Sequence, residues 1–307
     1  MTKQIKYIEV NPFYKEVLSK NSVPFIKLSD ITRRESEVLS IYSDYSGDNS
    51  LAQYETFSFY LVDWNVCGQL YDKLVNIKKD FNIPERKIDY KGRKDGLKFR
   101  SFPKWINEVR DFPGLILLLA FDKKIFTTPS YLKDKELLKK ELIEAGLEEK
   151  TDVAQRMVKA ICYLPIIGHL LNERHKLYWI TDNDVIIDTE KRTNLLGQAL
   201  GFLANDVIGH KIAAFGYSKP ILDIHKEFLC VPDLIAGALA HSLQWEDNKG
   251  FYWSPPDEET STILNEYAKF GDVLIEEQRK TKLANIALYV FTIGNPLKVF
   301  QIGLIPQ

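Results

Sequence analysis

One unbroken apolar run, GLILLLAF at Gly114–Phe121, constrains the fold more than any other feature of this sequence. The run is far shorter than the roughly 20 apolar residues of a membrane-spanning helix. Because it shows no alternation with polar residues, it is typical of a strand that is buried on both faces. Such a strand needs protein on both sides of the sheet. We therefore expect Gly114–Phe121 to be a central strand of an α/β protein.

Strand-like and helix-like patterns alternate along most of the chain, which favours α/β architecture. Two β-rich runs, residues 37–43 and 56–62, flank a Ser-Gly-Asp-Asn turn sequence and predict a hairpin. Apolar residues spaced by three and four predict a helix over Cys67–Phe81 that ends before Pro84. We predict a single elaborated α/β domain. The further predicted elements are helices at 152–173, 193–207 and from 232, and strands at 177–180, 212–215, 283–292 and 297–302.

Charge and cysteine content exclude several classes of protein. The chain has 41 basic and 42 acidic side chains, so it lacks the overall positive field of a non-specific nucleic-acid coat. Its three cysteines, Cys67, Cys162 and Cys230, are far apart and form neither a disulfide framework nor a zinc motif. The first residues contain no apolar leader segment. These features predict a cytoplasmic protein with no membrane segment.

The near-neutral total hides one strongly basic segment. Residues 73–104 contain eleven basic and four acidic side chains, a net charge of +7. Phe99, Phe102 and Trp105 follow within or just after this segment, and such side chains can stack on nucleic-acid bases. Nucleic-acid contact is one interpretation of this pattern, and a solvated basic face is the other.

Acidic residues recur where predicted strands end and helices begin. Asp44 ends the first strand run, and Asp48 lies in the turn that follows. Asp182 and Asp184 follow a later strand, and Asp233 opens a predicted helix. Carboxylates at neighbouring strand ends can converge, and they repel one another unless a divalent cation holds them. The pattern therefore predicts a two-metal phosphodiesterase site, in which ions about 4 Å apart activate water and stabilise the leaving oxygen.

Each acid also has a purely structural interpretation. Asp44 and Asp48 suit a turn, because their side chains bond nearby backbone N–H groups. Asp233 suits a helix N-cap, and Asp182 can simply mark the exit from a strand. His225 precedes the Asp233 helix and could assist proton transfer there. The sequence contains no P-loop, dinucleotide-binding, α/β-hydrolase or zincin motif.

Four segments together resemble one known family. They are YSDYSGD at 42–48, IDYKG at 88–92, ITDND at 180–184 and, most specifically, VPDLIAGAL at 231–239. The chain is similar, over about residues 41–243, to the prokaryotic "domain of unknown function 3800" family. Tyr45 stands where that family commonly has an acid. The resemblance implies a ribonuclease H-like mixed sheet flanked by helices, with N- and C-terminal additions, the latter at 244–307.

The resemblance also implies which side chains act. Asp44 corresponds to the first-strand metal ligand, Asp182 or Asp184 to the later-strand ligand, and Asp233 to the ligand on the last helix. Asp48 is a second acid of the first loop. On this basis the catalytic residues are Asp44, Asp182 and Asp233, and the metal ligands are Asp44, Asp48, Asp182, Asp184 and Asp233. Lys91, at the Lys-Gly step of the family, would face a substrate phosphate. If the basic segment guides a phosphate backbone, Arg93 and Lys94 are substrate-binding residues together with Lys91.

Two functions follow from these patterns. The first is a Mg²⁺- or Mn²⁺-dependent nuclease, in which the basic segment guides the phosphate backbone of DNA or RNA. A prokaryotic defence or toxin system is the setting that the resemblance suggests. The second is a non-catalytic subunit with the same fold. It would bind a protein partner through residues 246–277, where nine acidic side chains accompany the aromatic group FYW at 251–253.

Overall fold

The structure is a computed structural model that describes a defined part of the chain. In chain order its elements are β1 (Val38–Ser46), β2 (Tyr54–Asp63), α1 (Trp64–Asp80), α2 (Gly96–Arg110), β3 (Gly114–Asp122), β4 (Lys176–Thr181), α3 (Glu190–Phe202), β5 (Ala214–Ser218), α4 (Asp223–Phe228), β6 (Asn285–Phe291) and β7 (Lys298–Ile302). The described residues are 37–46, 53–83, 88–90, 95–110, 112, 114–124, 136, 140, 153, 156, 159, 160, 163, 167, 174–182, 186–202, 214–218, 223–234, 236, 237, 285–291 and 298–302.

The seven described strands form one mixed sheet in the order β5-β4-β1-β2-β3-β6-β7. Strands β5, β4 and β1 are parallel to one another. Strand β2 is antiparallel to both of its neighbours, β1 and β3. Strand β6 is parallel to β3, and β7 is antiparallel to β6. The prediction of an α/β fold is therefore confirmed.

The elements predicted most strongly are present. Strands β1 and β2 form the predicted hairpin, paired from Leu39 opposite Asp63 to Ser46 opposite Thr56. Strand β3 lies between β2 and β6 and is buried along its whole length, as its apolar run predicted. The two predicted strands near the C-terminus are β6 and β7, and they extend the same sheet.

Helix α1 begins earlier than its apolar spacing indicated. The Asp63 carboxylate accepts a hydrogen bond from the Asn65 backbone N–H at 2.8 Å and caps the helix at Trp64. The apolar stripe that predicted the helix is buried, as Leu70 and Leu74 show. We find no helix among the described residues that is long and apolar enough to cross a membrane.

The prediction that Asp233 opens a helix is wrong. Helix α4 begins at Asp223, and after a turn at Leu229 residues 230–234, 236 and 237 are helical again. We call these last residues the Asp233 helix segment. The Asp233 N–H donates to the Leu229 carbonyl at 3.3 Å, so Asp233 lies inside helical structure and is not an N-cap. Pro232 misled the prediction because proline is tolerated in the first turn of a helix as well as at its start.

The sheet has two differently covered faces. On the front face, Tyr42 and Tyr60 pack with helices α1 and α4 in one apolar core. On the back face, Phe59 packs against Tyr163, which belongs to the predicted helix at 152–173. The described residues of that region, 153, 156, 159, 160, 163 and 167, are helical and buried at spacings of three and four, as one packed helix face requires.

Candidate functional site

Asp44 and Asp182 are neighbours at the carboxyl ends of two parallel strands. The β1–β4 register pairs Ser43 with Thr181, and the Asp182 N–H donates to the Ser43 carbonyl at 3.1 Å. One step further along this register, Asp44 lies opposite Asp182. Because adjacent strands are about 4.8 Å apart and paired residues of parallel strands share a face, the two side chains start from neighbouring positions on the same face. Both residues are half-buried.

The Asp233 helix segment lies over the same face. The Phe228 ring is 5.0 Å from the Tyr42 ring, in the middle of β1. The Thr56 hydroxyl on β2 donates to the Ala236 carbonyl at 3.0 Å. Since Thr56 pairs with the last residue of β1, the chain from 228 to 236 runs along the front face towards the carboxyl end of β1.

This path brings Asp233 level with Asp44. Asp233 is five residues beyond Phe228, which is about 7.5 Å along a helix. Asp44 is two residues beyond Tyr42, which is about 7 Å along a strand. Asp233 is half-buried, like Asp44. The backbone path therefore places Asp233 towards the same end of the front face as Asp44, although the described acids form no group of three that could hold a metal ion.

The arrangement supplies hard oxygen ligands but not a closed metal cage. Within the described ranges, no group of three or more His, Cys, Asp or Glu side chains could hold a metal ion. Asp48 and Asp184 lie outside the described residues. Mg²⁺ is usually held by one or two carboxylates, with water and substrate phosphates completing its shell. The adjacent pair Asp44 and Asp182 fits that donor chemistry.

Tyr45 points to the back face, away from the acids. Its ring lies 4.9 Å from the Phe57 ring, and the Arg156 guanidinium is 5.6 Å from its centroid. Its hydroxyl lies 3.0 Å from Ser43 Oγ and accepts a hydrogen bond from Thr181 Oγ1 at 3.1 Å. Tyr45, the residue that departs from the family pattern, therefore lies on the opposite face of the sheet from Asp44 and Asp182.

A buried ionic cluster stands on the same back face. Arg156 donates to Glu55 Oε1 at 2.5 Å, and Lys159 forms an ion pair with Glu55 Oε2. All three side chains are at least nine-tenths buried. Burial lowers the pKa of Lys159, while the Glu55 carboxylate opposes this shift. No motif in the sequence indicated the cluster, because Glu55 is a hundred residues from its partners.

Among the described residues of the basic segment, four of the lysines are engaged with acidic side chains of the protein itself. The Phe102 and Trp105 side chains are fully buried and cannot stack on bases, so these two residues do not favour the nucleic-acid interpretation of the segment. The predicted substrate ligands Lys91, Arg93 and Lys94 lie outside the described residues, as does the acidic segment 246–277. Four lysines of the segment form ion pairs: Lys73 with Glu108 (2.6 Å), Lys78 with Glu227 (2.5 Å), Lys98 with Asp89 (3.5 Å) and Lys104 with Asp80 (2.6 Å).

One close contact connects Tyr90, within the basic segment, to the Asp233 helix segment. A Cβ placed on Gly237 would overlap the ring of Tyr90 and lie 2.7 Å from Tyr90 Cβ. Only glycine allows this approach of the ring to the helix backbone. Gly237 is one helical turn beyond Asp233, and Lys91 directly follows Tyr90 in the sequence.

His225 is enclosed by aromatic rings below the acids. Its ring centroid is about 6 Å from those of Tyr42, Trp64 and Tyr178. The side chain is 2% exposed, and neither ring nitrogen has a hydrogen-bond partner in the described part of the chain. Burial lowers the pKa of His225. Because His225 lies beside Tyr42 and not beside Asp44, its position does not favour the predicted role in proton transfer.

Comparison with known proteins gives little additional information. No family model matches the chain, and no curated protein matches it. A chain of the solved structure described as "Structure of the PCNA:RNase HII complex from Archaeoglobus fulgidus" is 14% identical, with 80% of this chain and 93% of that chain covered. Its TM-score of 0.35 is too low to support an argument about fold or function.

Proposed function

We propose that the protein is a divalent-metal-dependent nuclease whose site lies at the carboxyl ends of β1 and β4. The observation that carries this proposal is the pairing of Ser43 with Thr181 on adjacent parallel strands, directly before Asp44 and Asp182. Side-by-side carboxylates repel each other, and a divalent cation between them removes that repulsion. Asp233, on the neighbouring helix segment, would supply a third acid.

The strand arrangement is compatible with the resemblance to the domain of unknown function 3800 family. That resemblance rests on the four sequence segments, and it implies a ribonuclease H-like mixed sheet. The five strands β5-β4-β1-β2-β3 form a mixed sheet in which only β2 runs in the opposite direction. Two of the four segments lie at the carboxyl ends of β1 and β4, and this placement supports a shared site for their acids.

The chemistry expected of these residues is metal-assisted phosphodiester hydrolysis. Bound Mg²⁺ or Mn²⁺ would activate water and stabilise charge on the leaving oxygen. Asp44 and Asp182 would hold the cation on the front face, and Asp233 would complete the acidic wall. The paired strands fix the separation of the first two carboxylates, so little reorganisation is needed when the cation binds.

A nucleic-acid path past the site is supported by the Tyr90–Gly237 contact. This contact brings the residue before Lys91 to within one helical turn of Asp233. Arg93 and Lys94 follow within three residues. We propose that these three cations bind phosphates of DNA or RNA beside the acids, because cationic side chains pair with backbone phosphates independently of sequence.

Substitution of the paired acids tests the proposed function. In Asp44→Asn and Asp182→Asn, we expect Mg²⁺-dependent cleavage of labelled DNA or RNA to fall at least 100-fold, because the cation loses a charged ligand. Mn²⁺ should raise the melting temperature of the wild type by mass action and that of the variants much less.

Asp188→Asn is the matched control for this experiment. Asp188 is exposed, precedes α3 and forms an ion pair with Arg192 in the first turn of that helix. Its substitution should leave both cleavage and the Mn²⁺ shift unchanged. Wild-type protein that neither cleaves nucleic acid nor responds to Mn²⁺ would refute the nuclease proposal.

A second candidate function is a non-catalytic subunit that binds a protein partner. One observation favours it, namely that the described residues contain no group of three metal-binding side chains. The same thermal scans separate the two candidates. A non-catalytic subunit should show no Mn²⁺ shift in the wild type, and the two Asn variants should be at least as stable as the wild type because like charges are removed.

A further inference from the structure

We propose that Tyr45 is a positioning residue whose hydroxyl joins the carboxyl ends of β1 and β4 from the back face and thereby fixes the separation of Asp44 and Asp182. This inference rests on the proposed function, because it assigns Tyr45 a role in preparing the metal site. It concerns a residue that lies on the opposite face of the sheet from the acids and packs against Phe57 and Arg156.

The hydrogen bonds define the connection between the two strands. Trp179 Nε1 on β4 donates to Ser43 Oγ on β1 at 2.8 Å. Ser43 Oγ lies 3.0 Å from the Tyr45 hydroxyl oxygen. Thr181 Oγ1 on β4 donates to that same oxygen at 3.1 Å. This series of hydrogen bonds starts at Trp179 on β4, passes through Ser43 and Tyr45 on β1 and returns to Thr181 on β4.

The connection lies at the last paired positions before the acids. Ser43 and Thr181 are the final pair of the β1–β4 ladder, and Asp44 and Asp182 follow them directly. Strand ends have few neighbours and open more readily than strand centres. A side-chain bridge at this level keeps the two ends together, and it does so without occupying the front face where a cation and substrate would bind.

The size and packing of tyrosine suit this role. The Tyr45 side chain starts two residues beyond the level of Thr181, about 7 Å along the strand, and must reach back to it. A phenol spans that distance, whereas a carboxylate at the same position is shorter. The ring is held between Phe57 and the Arg156 guanidinium. Arg156 is itself fixed by Glu55, so the whole assembly has little freedom.

Removing the bridging hydroxyl tests the inference. Tyr45→Phe keeps the ring and its contacts but removes the oxygen that Thr181 bonds. We expect the Kd for Mn²⁺, measured by calorimetric titration of the full chain, to rise about tenfold or more, which is typical of losing a group that orients metal ligands. Thr181→Val removes the same bond from the other strand and should produce a similar rise. Because both substitutions remove the same hydrogen bond, the double variant should bind Mn²⁺ no more weakly than the weaker-binding single variant.

Tyr163→Phe is the matched control. Tyr163 is also fully buried on the back face, and its hydroxyl has no hydrogen-bond partner in the described part of the structure. Its removal should leave the Kd for Mn²⁺ unchanged. Urea unfolding in EDTA measures the stability of every variant separately from ion binding.

The outcomes distinguish this inference from the proposed function. If Tyr45→Phe and Thr181→Val lose stability yet bind Mn²⁺ with the wild-type Kd, Tyr45 has only a structural role and the inference is overturned. If the wild type itself binds no Mn²⁺, the nuclease proposal fails and the inference fails with it. If Tyr45→Phe does not fold, Thr181→Val alone tests the inference: a raised Kd for Mn²⁺ supports it, and a wild-type Kd overturns it.

Discussion

The front and back faces of the sheet hold polar groups in opposite ways at the carboxyl ends of β1 and β4. On the front face, the half-buried residues Asp44 and Asp182 directly follow the last paired residues of β1 and β4. On the back face, Glu55 is buried with Arg156 and Lys159 bound to its two oxygens. One face concentrates charge of a single sign near solvent, and the other pairs opposite charges inside the protein.

This difference shows where each face can interact with a ligand. A buried charge must be paired within the protein, because its desolvation is otherwise too costly. Half-exposed carboxylates retain some hydration and can exchange it for a cation. The back face is therefore suited to holding the strands, and the front face to binding. The following substitutions test this division, in order of decreasing effect on stability.

Glu55→Gln should produce the largest loss of folding stability. It leaves Arg156 and Lys159 together without a counter-charge, and breaking a buried ion pair typically costs about 3–5 kcal/mol. The deficit should shrink as pH rises from 7 to 9. Without Glu55, Lys159 releases its proton more readily from an already lowered pKa, whereas the unfolded chain stays protonated, so stability rises with pH. Urea unfolding at both pH values measures this.

Asp80→Asn is the control for that substitution. The Asp80–Lys104 pair is about half exposed on both sides, and removal of such a surface pair should cost no more than about 1 kcal/mol. Equal losses from Glu55→Gln and Asp80→Asn would mean that the back face does not depend on its ionic cluster.

Gly237→Ala should have the second largest effect and tests the front face. The new methyl group would overlap Tyr90, so either the ring or the Asp233 helix segment must move. Overpacking of this kind typically costs about 1–3 kcal/mol. Hydrogen exchange measured by mass spectrometry should show faster exchange in peptides that contain residues 88–90.

Gly68→Ala provides the comparison for a glycine in an open position. A Cβ on Gly68 meets no atom within 4 Å, and the residue lies on the exposed side of α1. Replacement there should stabilise the helix by roughly 0.5–1 kcal/mol. If Gly237→Ala is equally stabilising, the close Tyr90 contact does not constrain the front face.

His225→Phe should have the smallest effect, visible mainly in its pH dependence. Burial lowers the pKa of His225 in the folded state, so below about pH 6.5 the unfolded chain binds protons that the folded chain does not. Wild-type stability should therefore fall as pH decreases from 7.5 to 5. Phenylalanine fills the same aromatic surroundings and removes this pH-dependent contribution. Stability is measured by thermal scans of both proteins at pH 7.5 and pH 5. An equal loss of stability in wild type and His225→Phe would show that His225 is not the source of the pH dependence.

Local patterns determined the elements that depend on neighbours in sequence. The apolar run of β3 and the turn residues between β1 and β2 predicted a buried strand and a hairpin, and both are present. The spacing within α1 predicted its buried stripe, although its start at Trp64 depended on the Asp63 cap. These patterns act over a few residues, so the sequence alone reveals them.

The sequence likewise indicated the acids but not their surroundings. Asp44 and Asp182 were predicted from their positions at strand ends, and the register of β1 with β4 brings them together. Asp233 was predicted as a site residue, yet its place inside the helix was missed because Pro232 imitated a helix start.

Only the tertiary structure decided which residues support the site. Tyr45, Thr181 and the Glu55 cluster meet across more than a hundred residues of chain, and no local spacing encodes those meetings. The burial of Phe102 and Trp105, which removed them from the predicted nucleic-acid surface, also depends on packing against distant elements. The physical reason is that secondary structure follows from hydrophobic periodicity within one segment, whereas burial and side-chain pairing depend on which segments the fold places together.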